Sequence, residues 1–143
     1  MQSWGRLGSD EPARWDDEFF WSGTRDYSAF LTVPRAIEYF EAIGIDAVRA
    51  RMHHLARYAR QRLVALTGLE PLVPDRPEWY GSMAHVPLPE GDARGLQRQL
   101  WERYGIEVPI IEWGGRRFVR VSCHIYNTQA QINQLVDALG ELL

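Results

Sequence analysis

RFVRVSCHIYN, residues 117–127, alternates with a period of two. Successive side chains of a strand point to opposite faces, so Phe118, Arg120, Ser122 and His124 share one face and Val119, Val121, Cys123 and Ile125 the other. The second set is apolar and belongs against a core. The first set places an arginine in mid-strand, opposite the hydrophobic face. A half-buried strand of this kind needs a sheet with one covered face, and other parts of the chain must supply the cover.

Helical periods on both sides supply it. Downstream, Thr128 and Gln131 have capping-box spacing, and Ile132, Leu135, Val136, Leu139 and Leu142 form an apolar stripe. Upstream, a turn at Gly114 and Gly115 separates the strand from a second one over residues 106–111. Asp92 can cap a helix carrying Leu96, Leu100 and Tyr104 and closed by Gly105. Residues 82–88, between Gly81 and Pro89, read as a third strand after the proline-rich loop 69–80. Further upstream, Asp46 can cap a helix in which Val48, Met52, Leu55, Ala59, Leu63 and Leu66 recur at helical spacing up to Gly68. A first helix carries Ile37, Phe40 and Ile43, opened by Asp26 or Ser28, or by Thr32 ahead of Pro34, and ended by Gly44. The predicted order is α-α-β-α-β-β-α, an α+β fold with a small mixed or antiparallel sheet covered by helices. Residues 1–25 read as an irregular arm, interrupted by Gly5, Gly8 and Pro12, and residues 26–143 as the domain proper.

The chain has 143 residues and no lysine; all 16 of its basic side chains are arginine. Arginine stays protonated and forms no Schiff base, so imine chemistry has no donor here. Hydrophobic residues at 45% and charged residues at 24% are ordinary globular proportions. No apolar run approaches the ~20 residues that cross a membrane. One cysteine allows no internal disulfide, which points to a reducing cytoplasm. A net charge of -3 argues against a general nucleic-acid binder.

Chemistry can reside in few places. Arg120 can hold a carboxylate through a planar two-point contact, although by itself the segment reads more readily as a solvated or salt-bridged strand arginine. Cys123 lies on the core face, where a thiol behaves as a small hydrophobe. In FFWSGTRDYS, residues 19–28, Gly23 and Thr24 precede a helix start and offer backbone N–H groups and a hydroxyl to a phosphate; Gly-Thr turns of this sort are also common without a ligand. His53 and His54 are adjacent, and His85 and His124 have no ligand-like spacing to them, so no metal site is expected. Arg49, Arg51, Arg57, Arg60 and Arg62 read as a solvated basic helix face.

Taken together, WSGTRDYSAFLTVPRAIEYFEAIG (21–44) and FVRVSCHIYNTQAQINQLVDAL (118–139) resemble the C-terminal part of the class V aminotransferase family, in its isopenicillin N epimerase-like branch. The likeness runs from residue 3 to the last helix. It implies the small domain of a fold type I pyridoxal-phosphate enzyme. Arg120, in an Arg-x-Ser-x-x-x-Tyr-Asn pattern, matches the family's substrate-carboxylate arginine. Gly23 and Thr24 match a motif that reaches the cofactor phosphate of the partner subunit. The resemblance thus reverses the reading of Arg120. It further implies an amino acid substrate, pyridoxal 5'-phosphate as cofactor, and a homodimer. The Schiff-base lysine would belong to a large domain, in the same or a separate chain, and this chain alone would be inactive, with no catalytic residue of its own. The stretch 106–118 has no cysteine, which disfavours a desulfurase. The alternative is a non-catalytic interaction or dimerisation module that keeps the fold.

Overall fold

The computed structural model describes Thr24 and residues 26–143 of the chain. Two compact units are present, Met1–Tyr39 and Phe40–Leu143. Helix α1 (Ser28–Ile43) begins in the first; Asp26 caps it by accepting from the Ser28 N–H at 2.8 Å. Pro34 lies inside this helix, so of the two starts that the sequence offers, the one at Asp26 or Ser28 is taken and not the one at Thr32. Asp26 starts the helix earlier, and proline at that depth removes one helical hydrogen bond. None of the side chains of α1 is buried. The predicted arm, residues 1–25, lies outside the described residues except for Thr24.

In the second unit, α2 (Ile45–Thr67), β1 (Met83–Leu88), α3 (Ala93–Tyr104), β2 (Ile110–Trp113), β3 (Arg116–Ser122) and α4 (Gln129–Leu142) follow in the predicted order. The strands form one antiparallel sheet with β3 in the centre, β1-β3-β2. Val86 and Ile110 both register with Val119, and Ala84 with Val121. These residues meet Leu55, Leu63, Leu100 and Leu139, which are fully buried. The helix-covered face is thus the one that Val119, Val121 and Cys123 predict, and its burial drives folding at about 25 cal/mol per Å² of apolar surface. Burial also pushes the Cys123 thiol pKa up, which keeps it protonated and unreactive.

Three local details differ from expectation. Helix α2 starts at Ile45 with Gly44 at its N-cap, at φ 96°; Asp46 is in the first turn and serves the helix dipole. β2 covers residues 110–113 and not 106–111, because the Gly105 and Ile106 N–H groups close the end of α3 on Trp101 and Leu100 carbonyls. The Pro109 carbonyl accepts from Arg120 N–H at 3.1 Å, just before β2 begins. The caps of α3 and α4 are as predicted: Asp92 accepts from Gly95 N–H, and Thr128 and Gln131 form a complete capping box.

The basic face of α2 is not simply solvated. Arg60 is buried; it donates to the Val73 carbonyl at 2.6 Å and lies over the Tyr80 ring. Arg57 pairs with Asp75 at 2.9 Å, and the Tyr80 hydroxyl donates to the same carboxylate. Arg62 donates to Asn133 of α4 at 2.8 Å, beside the Tyr58 hydroxyl at 2.7 Å from the same oxygen. These contacts pin loop 68–82 to α2 and lock α2 to α4.

Candidate functional site

Among the described residues, the other face of the sheet has no helix packed on it. Along β3 it presents Arg116, Phe118, Arg120 and Ser122; register places Pro87 and Ile111 beside Phe118, and His85 beside Arg120. Phe118 is nevertheless buried, although the alternation places it on the polar side. Its ring meets His85 edge-on at 6.2 Å and lies under the Arg116 guanidinium at 5.3 Å.

Two arginines of β3 find opposite surroundings. Arg117, on the helix-covered face, is buried and fully engaged: Nε donates to the Pro89 carbonyl at 2.8 Å, Nη1 to Asp92 at 3.2 Å and Nη2 to Glu90 at 3.4 Å. It braces the loop that leads into α3. Arg120 is half-buried, and its Nε is shut off from solvent with no hydrogen-bond partner. Among the described residues no carboxylate pairs with it. An unpaired buried donor costs about 1–3 kcal/mol, a cost that persists in native proteins chiefly where a ligand or water completes the bond.

Arg120 lies between two cavities. One, of about 300 Å³, has a mixed lining that includes Ser122, Asn127, Gln131 and Gln134 beside Val108, Ile132 and Leu135. Asn127 and Gln131 are held in place: the Asn127 side chain accepts from His124 N–H at 2.7 Å, and that of Gln131 accepts from Thr128 N–H at 3.0 Å. The second, of about 330 Å³, has apolar walls of Leu72, Ile111, Trp113 and Phe118, with His85 at its side. Beyond Ser122, His124 stacks on the exposed Tyr126 at 4.5 Å; its Nδ1 is likewise buried without a partner.

Thr24 is exposed at a bend, and Gly23 lies outside the described residues, as does Arg25. With no lysine in the whole sequence, no side chain here can bond the aldehyde of pyridoxal phosphate. The residues present therefore do not make a complete site for that cofactor. Among the described residues no cluster of His, Cys, Asp or Glu could hold a metal ion, and no helix is long and apolar enough to cross a membrane.

Sequence reasoning located Arg120 and missed His85, Ile111, Trp113 and Asn127 around it. His85 could be placed only through strand register, which local periodicity does not contain.

Comparison with known proteins bears on the family and the fold. The family model described as "Aminotransferase class-V" matches residues 11–135. The isopenicillin N epimerase of Amycolatopsis lactamdurans is 42% identical over 121 residues, covering 84% of this chain and 30% of the epimerase. A probable chloroplastic L-cysteine desulfhydrase of Arabidopsis thaliana is 35% identical over 88% of this chain and 30% of its own length. The chain thus spans about a third of the relatives it matches. Among solved structures, the 8-amino-7-oxononanoate synthase of Francisella tularensis superposes with a TM-score of 0.58 over 75% of this chain and 30% of the synthase, at 22% identity. That likeness concerns the fold alone. The fold is the α+β layer expected of the small domain of fold type I enzymes.

Proposed function

The chain belongs to the class V aminotransferase family, and on that premise we propose that it is the C-terminal part of a pyridoxal-phosphate enzyme, isopenicillin N epimerase-like, acting on an amino acid. The relatives that it matches include an epimerase and a desulfhydrase, so the reaction is one at the α-carbon or side chain. Arg120 holds the substrate's α-carboxylate. Thr24, with Gly23, contacts the cofactor phosphate of a partner subunit. The cofactor, when bound by the large domain, supplies an electron sink for the bond that breaks. The large domain brings the lysine, in the same or a separate chain.

The observation that carries this reading is the buried, partnerless Nε of Arg120. A bidentate carboxylate supplies the missing acceptor at Nε and a second at Nη. Fixing the carboxylate sets the orientation of the α-carbon, and such positioning is worth several kcal/mol in a reaction barrier. Ser122, one step along the same face, leaves the approach uncrowded.

A second reading, that the domain serves association, draws support from α1. Leu31 at 76% and Ile37 at 53% exposure are apolar surface of the kind that other domains or copies cover. The two readings are compatible: a homodimer, or the large domain, would use this surface.

The test is a titration of the ¹⁵N-labelled chain with N-acetylglycine and with neutral N-acetylglycinamide. The carboxylate alone should shift the Arg120 Nε–Hε resonance, and Arg120→Gln should abolish the response. Equal response to the amide removes the carboxylate role. Mixed with pyridoxal phosphate, the chain should show no protein-dependent imine absorbance.

A further inference from the structure

The apolar cavity beside Arg120 differs from what a carboxylate clamp by itself requires, and its shape specifies the ligand further. Leu72 reaches it from loop 68–82, Ile111 and Trp113 from β2, and Phe118 from β3, so three separate segments converge on one hollow of about 330 Å³. Arg120 and His85, partners in the register, also line it. Apart from these two, no polar side chain lines the cavity.

We infer that this cavity receives the side chain of the carboxylate ligand held by Arg120, and that it selects a branched aliphatic or aromatic side chain. The inference rests on the Arg120 reading and adds the class of substrate. The guanidinium sets where the carboxylate lies; among the described residues the walls on this side are apolar apart from His85. A thiol or a single methyl group would leave most of the volume unfilled and forgo contact with Trp113 and Ile111. A charged side chain would lose its hydration with only His85 as a polar neighbour on the walls. An aliphatic or aromatic group removes its own apolar surface and that of the walls from water, which is the main source of binding energy for such ligands.

The experiment compares N-acetyl-L-leucine and N-acetyl-L-phenylalanine with N-acetylglycine and N-acetyl-L-glutamate on the labelled chain, following Arg120 Nε–Hε and the Trp113 indole N–H. All four should move Arg120. The leucine and phenylalanine derivatives should also move the Trp113 indole, and should bind about tenfold more tightly than the glycine derivative. Trp113 is at the surface end of β2, so Trp113→Ala keeps the fold; it should narrow the gap between the leucine and glycine affinities. Equal affinity for leucine and glycine, with Arg120 responding to both, overturns the side-chain assignment and leaves the clamp standing. So does a preference for glutamate, which would place the side chain in the other cavity, or a leucine preference that Trp113→Ala leaves undiminished. If no carboxylate moves Arg120, the clamp itself fails and this inference falls with it.

Discussion

Arg117 and Arg120 are three residues apart in one strand and serve opposite faces of the sheet. On the helix-covered face, Arg117 reaches three backbone carbonyls and holds a loop in place. On the other face, Arg120 has a buried donor with nothing to bond. The difference teaches that residue type and burial do not separate a structural arginine from a binding one. The count of satisfied donors does.

The contrast breaks most readily through stability. Leu100→Ala, in the fully buried layer, should cost about 3 kcal/mol in urea denaturation, as large-to-small core changes do. Trp113→Ala, on the uncovered face, should stay within about 0.5 kcal/mol. Similar losses for both would mean that the second face is also core.

Between the arginines, Arg117→Ala should cost about 2 kcal/mol, because carbonyls of residues 89–92 lose a charged donor. Arg120→Gln should change stability by less than about 0.5 kcal/mol while abolishing the carboxylate response. If Arg120→Gln unfolds the chain as readily as Arg117→Ala, the distinction is lost.

Gly91 sharpens the same point. It adopts φ +151°, and a Cβ there would come within 3.0 Å of the Arg117 guanidinium. Gly91→Ala should therefore destabilise by about 1–2 kcal/mol, from backbone strain and displacement of Arg117. In a double mutant with Arg117→Ala the loss should be less than the sum, because the clash has gone. Strict additivity would show that the guanidinium does not press on this loop.

Thr128→Ala removes the capping box of α4, for about 1 kcal/mol by thermal or chemical denaturation. It should leave the Arg120 response to N-acetylglycine intact, since Asn127 keeps its bond to His124 N–H.

The smallest effect concerns pH. Burial, and then the bond to Asp75, push the Tyr80 hydroxyl up to about 12. The folded state thus keeps a proton that the unfolded chain releases near pH ~10. That contribution is complete below pH ~10 and is lost as pH rises towards ~12. Tyr80→Phe should flatten the fall in stability over this window. For Asp75 the sign is reversed: the hydrogen bond from Tyr80, followed by Arg57, holds its carboxyl low, and that contribution disappears only as acid protonates it.

Much of the fold was legible beforehand. Val119, Val121 and Cys123 announced a covered face, Thr128 and Asp92 announced helix starts, and the order of elements followed from the periods between turns. The start of α1 was left open between two sites and the limits of β2 were misread, for one reason. Proline inside α1 and the closing bonds of Gly105 and Ile106 depend on which competing hydrogen bonds form, and periodicity does not record that. Of the site, Arg120 stood out only through the family resemblance, since the alternation by itself reads as a solvated or salt-bridged strand arginine. Its neighbours His85 and Leu72 did not, since they lie 35 and 48 residues away in the chain, and Trp113 joins them only through the pairing of β2 with β3.

The sequence by itself determined the elements, the two faces of β3, and the exclusion of imine chemistry from a chain without lysine. Those properties are local or compositional: side-chain alternation, capping groups, and the presence or absence of an amine. Tertiary structure decided which arginine is spoken for and which is left with a donor to offer. The partners of Arg117 lie 25 to 28 residues away, and only folding brings their carbonyls to one strand face while leaving the other open.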